Sequence, residues 1–338
     1  MQTPGLECLP GRQMGAEMKA FLILEDGTVL EGIQIGAQRE VVSEIVFNTS
    51  MAGYLEVLTD PSYAGQAVCM TYPLIGNYGI CREDCESIKP WPDGFIVREL
   101  SRIPSNFRND IPIQQYLEEN DVPGIAGIDT RALTKILREK GTMNGMITTN
   151  AGYDKEAVLA RLKAYTAGKV VEKVSCKEKY VVPPVISLAE NGPVGGEARF
   201  NREAYERGER EPRPSLVKEL NGRGLKVALM DFGAKGNIAR SLAARGCEVT
   251  VYPALTPAQE ILADGPSGIM LSNGPGDPKE CTSIIGEIRK LYDADIPIFA
   301  ICLGHQLMAL ATGADTYKMK YGHRGGNHPV KDLATGRV

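Results

Sequence analysis

Residues 296–306 read Ile-Pro-Ile-Phe-Ala-Ile-Cys-Leu-Gly-His-Gln, and this stretch decides the fold. Its apolar half, 296–301, has the length and residue types of a strand buried on both faces. From Leu303 the period becomes helical, with Leu303, Leu307, Leu310 and Ala311 roughly on one face. Cys302 stands at the switch. A cysteine on such a turn carries its sulfur above the sheet edge, facing the first N–H groups of the helix, which favour a thiolate and later an oxyanion. Ala300 and Gly304 flank it with small side chains, as a sharp elbow requires. Cys302 is the candidate nucleophile; the alternative is a structural thiol buried at a strand end.

Upstream, the same pattern repeats. Strands are expected at 226–230, 248–252 and 268–271, and helices at 237–244, 258–263 and 283–292. Alternation of this length predicts a doubly wound, mostly parallel α/β domain over residues 224–338, with ligands at the carboxyl ends of the strands. The strand at 268–271 runs into Ser272-Asn273-Gly274-Pro275-Gly276-Asp277-Pro278, by itself a turn signal. Residues 176–223 hold Pro183-Pro184, Asn191-Gly192-Pro193 and a charged run with little apolar periodicity, and read as a linker. Residues 18–175 show short apolar runs broken by Gly, Pro and Asp, mixed with helical patterns at 112–119, 131–140 and 157–166, which predicts an α+β domain. Asp129 stands where a helix N-cap belongs. The first 17 residues, 1–17, lack the apolar core of a signal peptide and read as a disordered extension.

Bulk properties exclude several classes. A formal net charge of −4 with mixed signs gives no basic footprint for nucleic acid. No apolar run reaches the roughly 18 residues of a membrane span. The eight cysteines lack the spacing of a secreted disulfide scaffold, so a reduced, cytoplasmic chain is expected. Cys81-x-x-x-Cys85 has no histidine nearby and predicts no metal. No phosphate-binding glycine motif opens a helix; Phe232-Gly233-Ala234-Lys235-Gly236 reads as a tight strand-to-helix turn.

Cys302-Leu303-Gly304-His305-Gln306, with the Gly274-Pro275-Gly276-Asp277-Pro278 loop about thirty residues before it, resembles the nucleophile segment of class I, triad-type glutamine amidotransferases. Asn48-Thr49-Ser50-Met51-Ala52-Gly53-Tyr54, Asp60-Pro61-Ser62-Tyr63, Gly76-Asn77-Tyr78-Gly79, Ile128-Asp129-Thr130-Arg131 and Asp231-Phe232-Gly233-Ala234-Lys235 resemble the small-subunit family of carbamoyl-phosphate synthetases. The resemblance covers roughly residues 18–338. It implies that Cys302 attacks glutamine, that Leu303, Gly274 and Gly276 supply backbone contacts, and that Ser62 and Gln306 contact the substrate. From the residues alone, Ser62 reads as a turn residue after Pro61. It further implies a large synthetase subunit as partner, which uses the ammonia for carbamoyl phosphate in the arginine and pyrimidine pathways. ATP and magnesium are expected on that subunit, and no cofactor or metal on this chain.

The general base is not found among the three histidines. His305 follows Cys302 by three positions, so it projects along the helix flank. His323 and His328 match family positions that are not the base, and none is followed by x-Glu. In the family the His-x-Glu segment lies further along the chain than Val338. The chain is therefore expected to be C-terminally truncated, to expose an unpaired sheet edge and to hydrolyse glutamine poorly as it stands. Two readings follow: a glutaminase subunit, or a truncated, incompetent subunit that docks and at most binds glutamine.

Overall fold

The structure, a computed structural model, describes residues 18–184, 224–323, 325–326 and 328–338. The 1–17 extension and most of the 176–223 linker lie outside them.

The first half of the chain is a seven-stranded closed barrel. Its strands are β1 (Lys19–Leu24), β2 (Val29–Gly36), β3 (Val41–Asn48), β4 (Gln66–Met70), β6 (Gly94–Ile96), β8 (Pro123–Ala126) and β9 (Met143–Thr148). They run in the order β1-β2-β8-β6-β4-β3-β9, with β9 closing antiparallel on β1. Two short strands, β5 (Leu74–Ile75) and β7 (Glu99–Leu100), pair separately. Alternation along the strands sorts the side chains into two sets. Leu22, Leu24, Ile45, Phe47, Cys69, Ile125 and Ile147 pack with Leu133 and Leu137 of α3 (Thr130–Lys140). Val46, Val68, Met70 and Phe95 pack with Leu55 and Leu58 of α1 (Tyr54–Leu58) and Leu117 of α2 (Ile113–Glu119). Asp129 caps α3 as expected, its Oδ1 accepting from the Ala132 N–H at 3.0 Å. Helix α4 (Lys155–Ala164) covers Ile23 and Met146, and the short α5 (Val171–Val174) follows.

Among the described residues the second half holds a five-stranded sheet: β10 (Tyr180–Val182), β11 (Lys226–Asp231), β12 (Glu248–Pro253), β13 (Gly268–Leu271) and β14 (Ile298–Ala300), in the order β10-β12-β11-β13-β14. All neighbours are parallel except β10 against β12. Helices α6 (Gly236–Ala243), α7 (Ala258–Ala263), α8 (Thr282–Tyr292) and α9 (Leu303–Ala311) cross over between or follow the strands. The mixed α/β class expected from sequence is the class observed. From β11 the chain passes first to β12 on one side, then to β13 on the other. The carboxyl ends of β11 and β13 therefore border the switch point, where open α/β sheets bind ligands.

Two expectations are corrected. Residues 180–182 fall in the stretch read as linker, yet form an antiparallel edge strand in register with Val249 to Val251. Strand β14 is shorter than 296–301 and is not buried on both faces. It ends the sheet, pairs with β13 alone among the described residues, and leaves Phe299 65% exposed. Its apolar content reflects packing of Ile298 and Ala300 onto one side only. No helix of the described residues is long and apolar enough to cross a membrane.

Candidate active site

Cys302 follows β14 with φ 50° and ψ −110°, a backbone state that a residue with a Cβ keeps only when its surroundings over-determine it. The surroundings do so from both sides. The Ile301 N–H donates to the Leu271 carbonyl at 2.9 Å, carrying the β13–β14 ladder up to the cysteine. The Gly304 N–H then donates to the carbonyls of Ser272 at 3.0 Å and Ile301 at 2.9 Å, drawing the first turn of α9 onto the end of β13. Only glycine permits that approach, because a Cβ on Gly304 would lie 2.5 Å from the Leu271 oxygen. The Cys302 residue is exposed and forms the N-cap of α9, where the helix dipole favours negative charge. Burial pushes the Cys176 thiol up to about 12. It likewise raises Cys69, Cys81, Cys247 and Cys281. Among these, only Cys302 combines exposure with a helix start.

The loop after β13 forms the next wall. Ser272 is fully buried; its Oγ accepts from the Phe232 N–H at 2.9 Å and donates to the Asn273 carbonyl at 2.8 Å. This stitches the loops after β11 and β13 together. Gly274 is packed so closely that a Cβ would lie 2.1 Å from the Phe232 oxygen and 2.9 Å from Leu303 Cδ2. Its backbone thus adjoins the start of α9. Gly276 adopts φ 92° and is exposed; it borders a small pocket shared with Val170, Asp277 and Cys281, which Cys302 does not line.

The barrel supplies the third wall. Asp60 caps the turn Pro61–Tyr63, its Oδ1 accepting from the Ser62 N–H at 2.9 Å. Ser62 is half-buried, and its Oγ accepts from Asn273 Nδ2 at 2.9 Å. The same amide donates to the Gly233 carbonyl at 3.0 Å and, at 3.3 Å, to Asp60 Oδ1, while Asn273 Oδ1 accepts from the Lys235 N–H at 3.0 Å. Asn273, 4% exposed, is thus the knot at which the Ser62 turn and the loops after β11 and β13 meet. The motif around it reads as a turn in sequence, and nothing local singles it out; its Ser62 partner is 211 positions away. Lys235 Nζ pairs with Asp60 Oδ2 at 2.9 Å. Burial works against its charge, but the Asp60 carboxylate prevails and holds its pKa above the ordinary lysine value.

Of the residues picked from sequence, the structure joins Cys302, Leu303 and Gly274 at the β13–α9 corner, and Ser62 through Asn273. Gln306 is exposed on α9, its N–H donating to the Cys302 carbonyl at 3.1 Å. His305 is exposed on the same helix, and the rings of His323 and His328 meet edge-on with centroids 4.8 Å apart. Among the described residues no group of three or more His, Cys, Asp or Glu side chains is disposed to hold a metal.

The class of domain that carries this cysteine elbow and glycine loop follows from its family match. Residues 228–337 match the family model described as glutamine amidotransferase class-I, and residues 22–147 match that of the carbamoyl-phosphate synthase small chain, CPSase domain. The carbamoyl phosphate synthase small chain of Listeria innocua is 46% identical over 321 residues, covering 95% of this chain and 77% of its own length. Those of Bacillus cereus and Clostridium perfringens are each 48% identical over 321 residues, again 95% of this chain, and 77% and 80% of their own lengths. The chain belongs to the carbamoyl-phosphate synthase small-chain family. A solved aminopeptidase from Aneurinibacillus sp. strain AM-1 aligns over 88% of this chain and 70% of its own at 10% identity, but with a TM-score of 0.22 it carries no argument.

Proposed function

We propose that this chain is the glutamine-hydrolysing partner of a large, ATP-using synthase chain, with Cys302 as nucleophile. The observation that carries the reading is the constrained elbow: an exposed thiol at φ 50° on the first turn of α9, walled by the Gly274 loop. The Cys302 thiolate attacks the carboxamide carbon of glutamine and forms a tetrahedral oxyanion. The proton the Cys302 thiol gave up returns through solvent to the carboxamide nitrogen, which leaves as ammonia, and a glutamyl thioester remains. Water then cleaves the thioester to glutamate and the thiol. The Gly304 N–H already serves the Ser272 and Ile301 carbonyls, which leaves the Leu303 N–H and the Gly274 N–H, beside the start of α9, as the donors for the oxyanion. Ser62 and Gln306 hold the amino-acid end of the substrate. The ammonia goes to the large chain, where ATP and magnesium act, to form carbamoyl phosphate for arginine or pyrimidine synthesis. The barrel, which carries no nucleophile–base pair of its own, is the docking part.

Iodoacetamide labelling followed by peptide mapping tests the site. At neutral pH Cys302 should label first, and glutamine should protect it. Prior labelling of Cys81 or Cys247, or no protection by glutamine at any concentration, removes the assignment.

A further inference from the structure

The contacts that hold Ser62 against Asn273 lead back to one buried carboxylate outside the site. Glu86, 5% exposed, lies on the barrel just after a short turn at Arg82–Asp84. On one side it grips the start of α6. Its Oε2 accepts from the Asn237 N–H at 3.0 Å, its Oε1 from Asn237 Nδ2 at 2.7 Å, and its own carbonyl from the Gly236 N–H at 2.7 Å. Arg240 Nη2 stands 3.6 Å from Oε2 and donates to the Cys85 carbonyl at 3.2 Å. On the other side the Glu86 N–H donates to Thr59 Oγ1 at 2.8 Å, and the Ser87 hydroxyl donates to the Thr59 carbonyl at 2.5 Å.

Both gripped points adjoin the glutamine-side walls. Thr59 precedes Asp60, Pro61 and Ser62. Gly236 follows Lys235, whose N–H bonds Asn273 and whose ammonium pairs with Asp60. A single residue thus fixes the chain just before the Ser62 turn and just after the Lys235 loop. The span between the two anchors is closed by the Asp60–Lys235 pair and by Asn273.

We propose that Glu86 is a positioning residue that sets the Ser62 hydroxyl relative to the Gly274 loop, and so sets affinity for the amino-acid end of glutamine; this rests on the glutaminase reading above. Charge matters to the role. The carboxylate sits at the positive end of α6 and beside Arg240, where a neutral amide meets the Asn237 N–H with weaker attraction. A buried charged acceptor with three polar partners is also harder to shift than a neutral one.

The test is Glu86→Gln, read by the glutamine concentration that half-protects Cys302 from iodoacetamide. The expected result is a rise of about tenfold, the size of coupling found between members of one hydrogen-bond network. The labelling rate without glutamine should match that of the unaltered chain, since Glu86 does not touch the elbow. In a Ser62→Ala background the substitution should add nothing, because its effect passes through that hydroxyl. Thr59→Val, which removes only the hydroxyl on the other side of the anchor, should give the same rise, and supplies the test if Glu86→Gln fails to fold. Unchanged half-protection in these variants, or a full tenfold effect persisting on top of Ser62→Ala, overturns the proposal. An unaltered chain that glutamine does not protect overturns the glutaminase reading instead.

Discussion

Gly304→Ala should destabilise the second half of the chain even though alanine is the better helix former. The added Cβ would lie 2.5 Å from the Leu271 oxygen, 2.7 Å from the Leu271 carbonyl carbon and 2.7 Å from the Ser272 oxygen. These are backbone atoms of a central strand, held by the β13–β14 and β11–β13 ladders, so the helix must give way. Overpacking of this kind costs about 1–3 kcal/mol. Lengthening the Gly304 N–H bond to Ser272 adds about 1 kcal/mol. The helix preference of alanine over glycine returns about 1 kcal/mol at most, and less in a first turn. The net is a loss of about 2 kcal/mol, roughly 8 °C at about 4 °C per kcal/mol for a unit of this size. Gly286→Ala in α8 is the control: nothing lies within 4 Å of its Cβ, so propensity alone acts and stability should rise by up to about 1 kcal/mol. Urea unfolding and thermal melts read the stability, and iodoacetamide labelling reads the elbow. Labelling of Cys302 should slow in Gly304→Ala, because α9 can no longer close on β13. If Gly304→Ala unfolds at the same urea concentration as the unaltered chain and labels as fast, the close approach is not what shapes the elbow.

Two further outcomes test the walls and the segment beyond α9. Asn273→Ala leaves the half-buried Lys235 N–H and the buried Gly233 carbonyl without the amide that satisfies them, and should cost about 2–3 kcal/mol by urea unfolding; a loss below about 0.5 kcal/mol, the range of an ordinary surface substitution, contradicts the knot. Lys318→Ala tests whether the stretch after α9 is strapped to the barrel. Burial acts to raise the Glu44 pKa, but Lys318 Nζ at 2.8 Å, with Gln66 and Thr142, more than offsets it, so the folded value lies below the ordinary 4.5. A depressed carboxylate pKa contributes stability that is present above the unfolded value and lost as pH falls through the folded one. The variant should therefore have a lower urea midpoint at pH 7, and the gap should close as pH is lowered below 4.5; a gap independent of pH would refute the ion pair.

How much of this could be read from the chain depends on how local each signal is. The central strands β11 and β13 are legible because both faces are covered, so Val-Ala-Leu-Met and Gly-Ile-Met-Leu appear as plain apolar runs. Strand β2 is not, because glycines interrupt it where neighbours come close: a Cβ on Gly32 would lie 2.3 Å from the Ala126 oxygen. Strand β10 follows a lysine-rich stretch and is exposed at Tyr180 and Val181, so nothing in it alternates, and its place is fixed by the β12 edge. Strand β14 departs from the reading of a strand buried on both faces: among the described residues it pairs with β13 alone and leaves Phe299 65% exposed. The elbow itself was readable: Cys302 needs a strand end, a helix start and Gly304 within a few residues, all of them local. Ser62 stands out through a family resemblance alone, and Asn273 only as the first residue of a glycine loop, with no role of its own. Both have meaning only across more than two hundred residues, where the amide of one meets the hydroxyl of the other. The same holds for Glu86, whose two anchoring contacts belong to different halves of the chain. The elbow at Cys302 is thus written locally, while the contacts that hold the Ser62 turn against the Asn273 loop are written in pairs that only folding brings together.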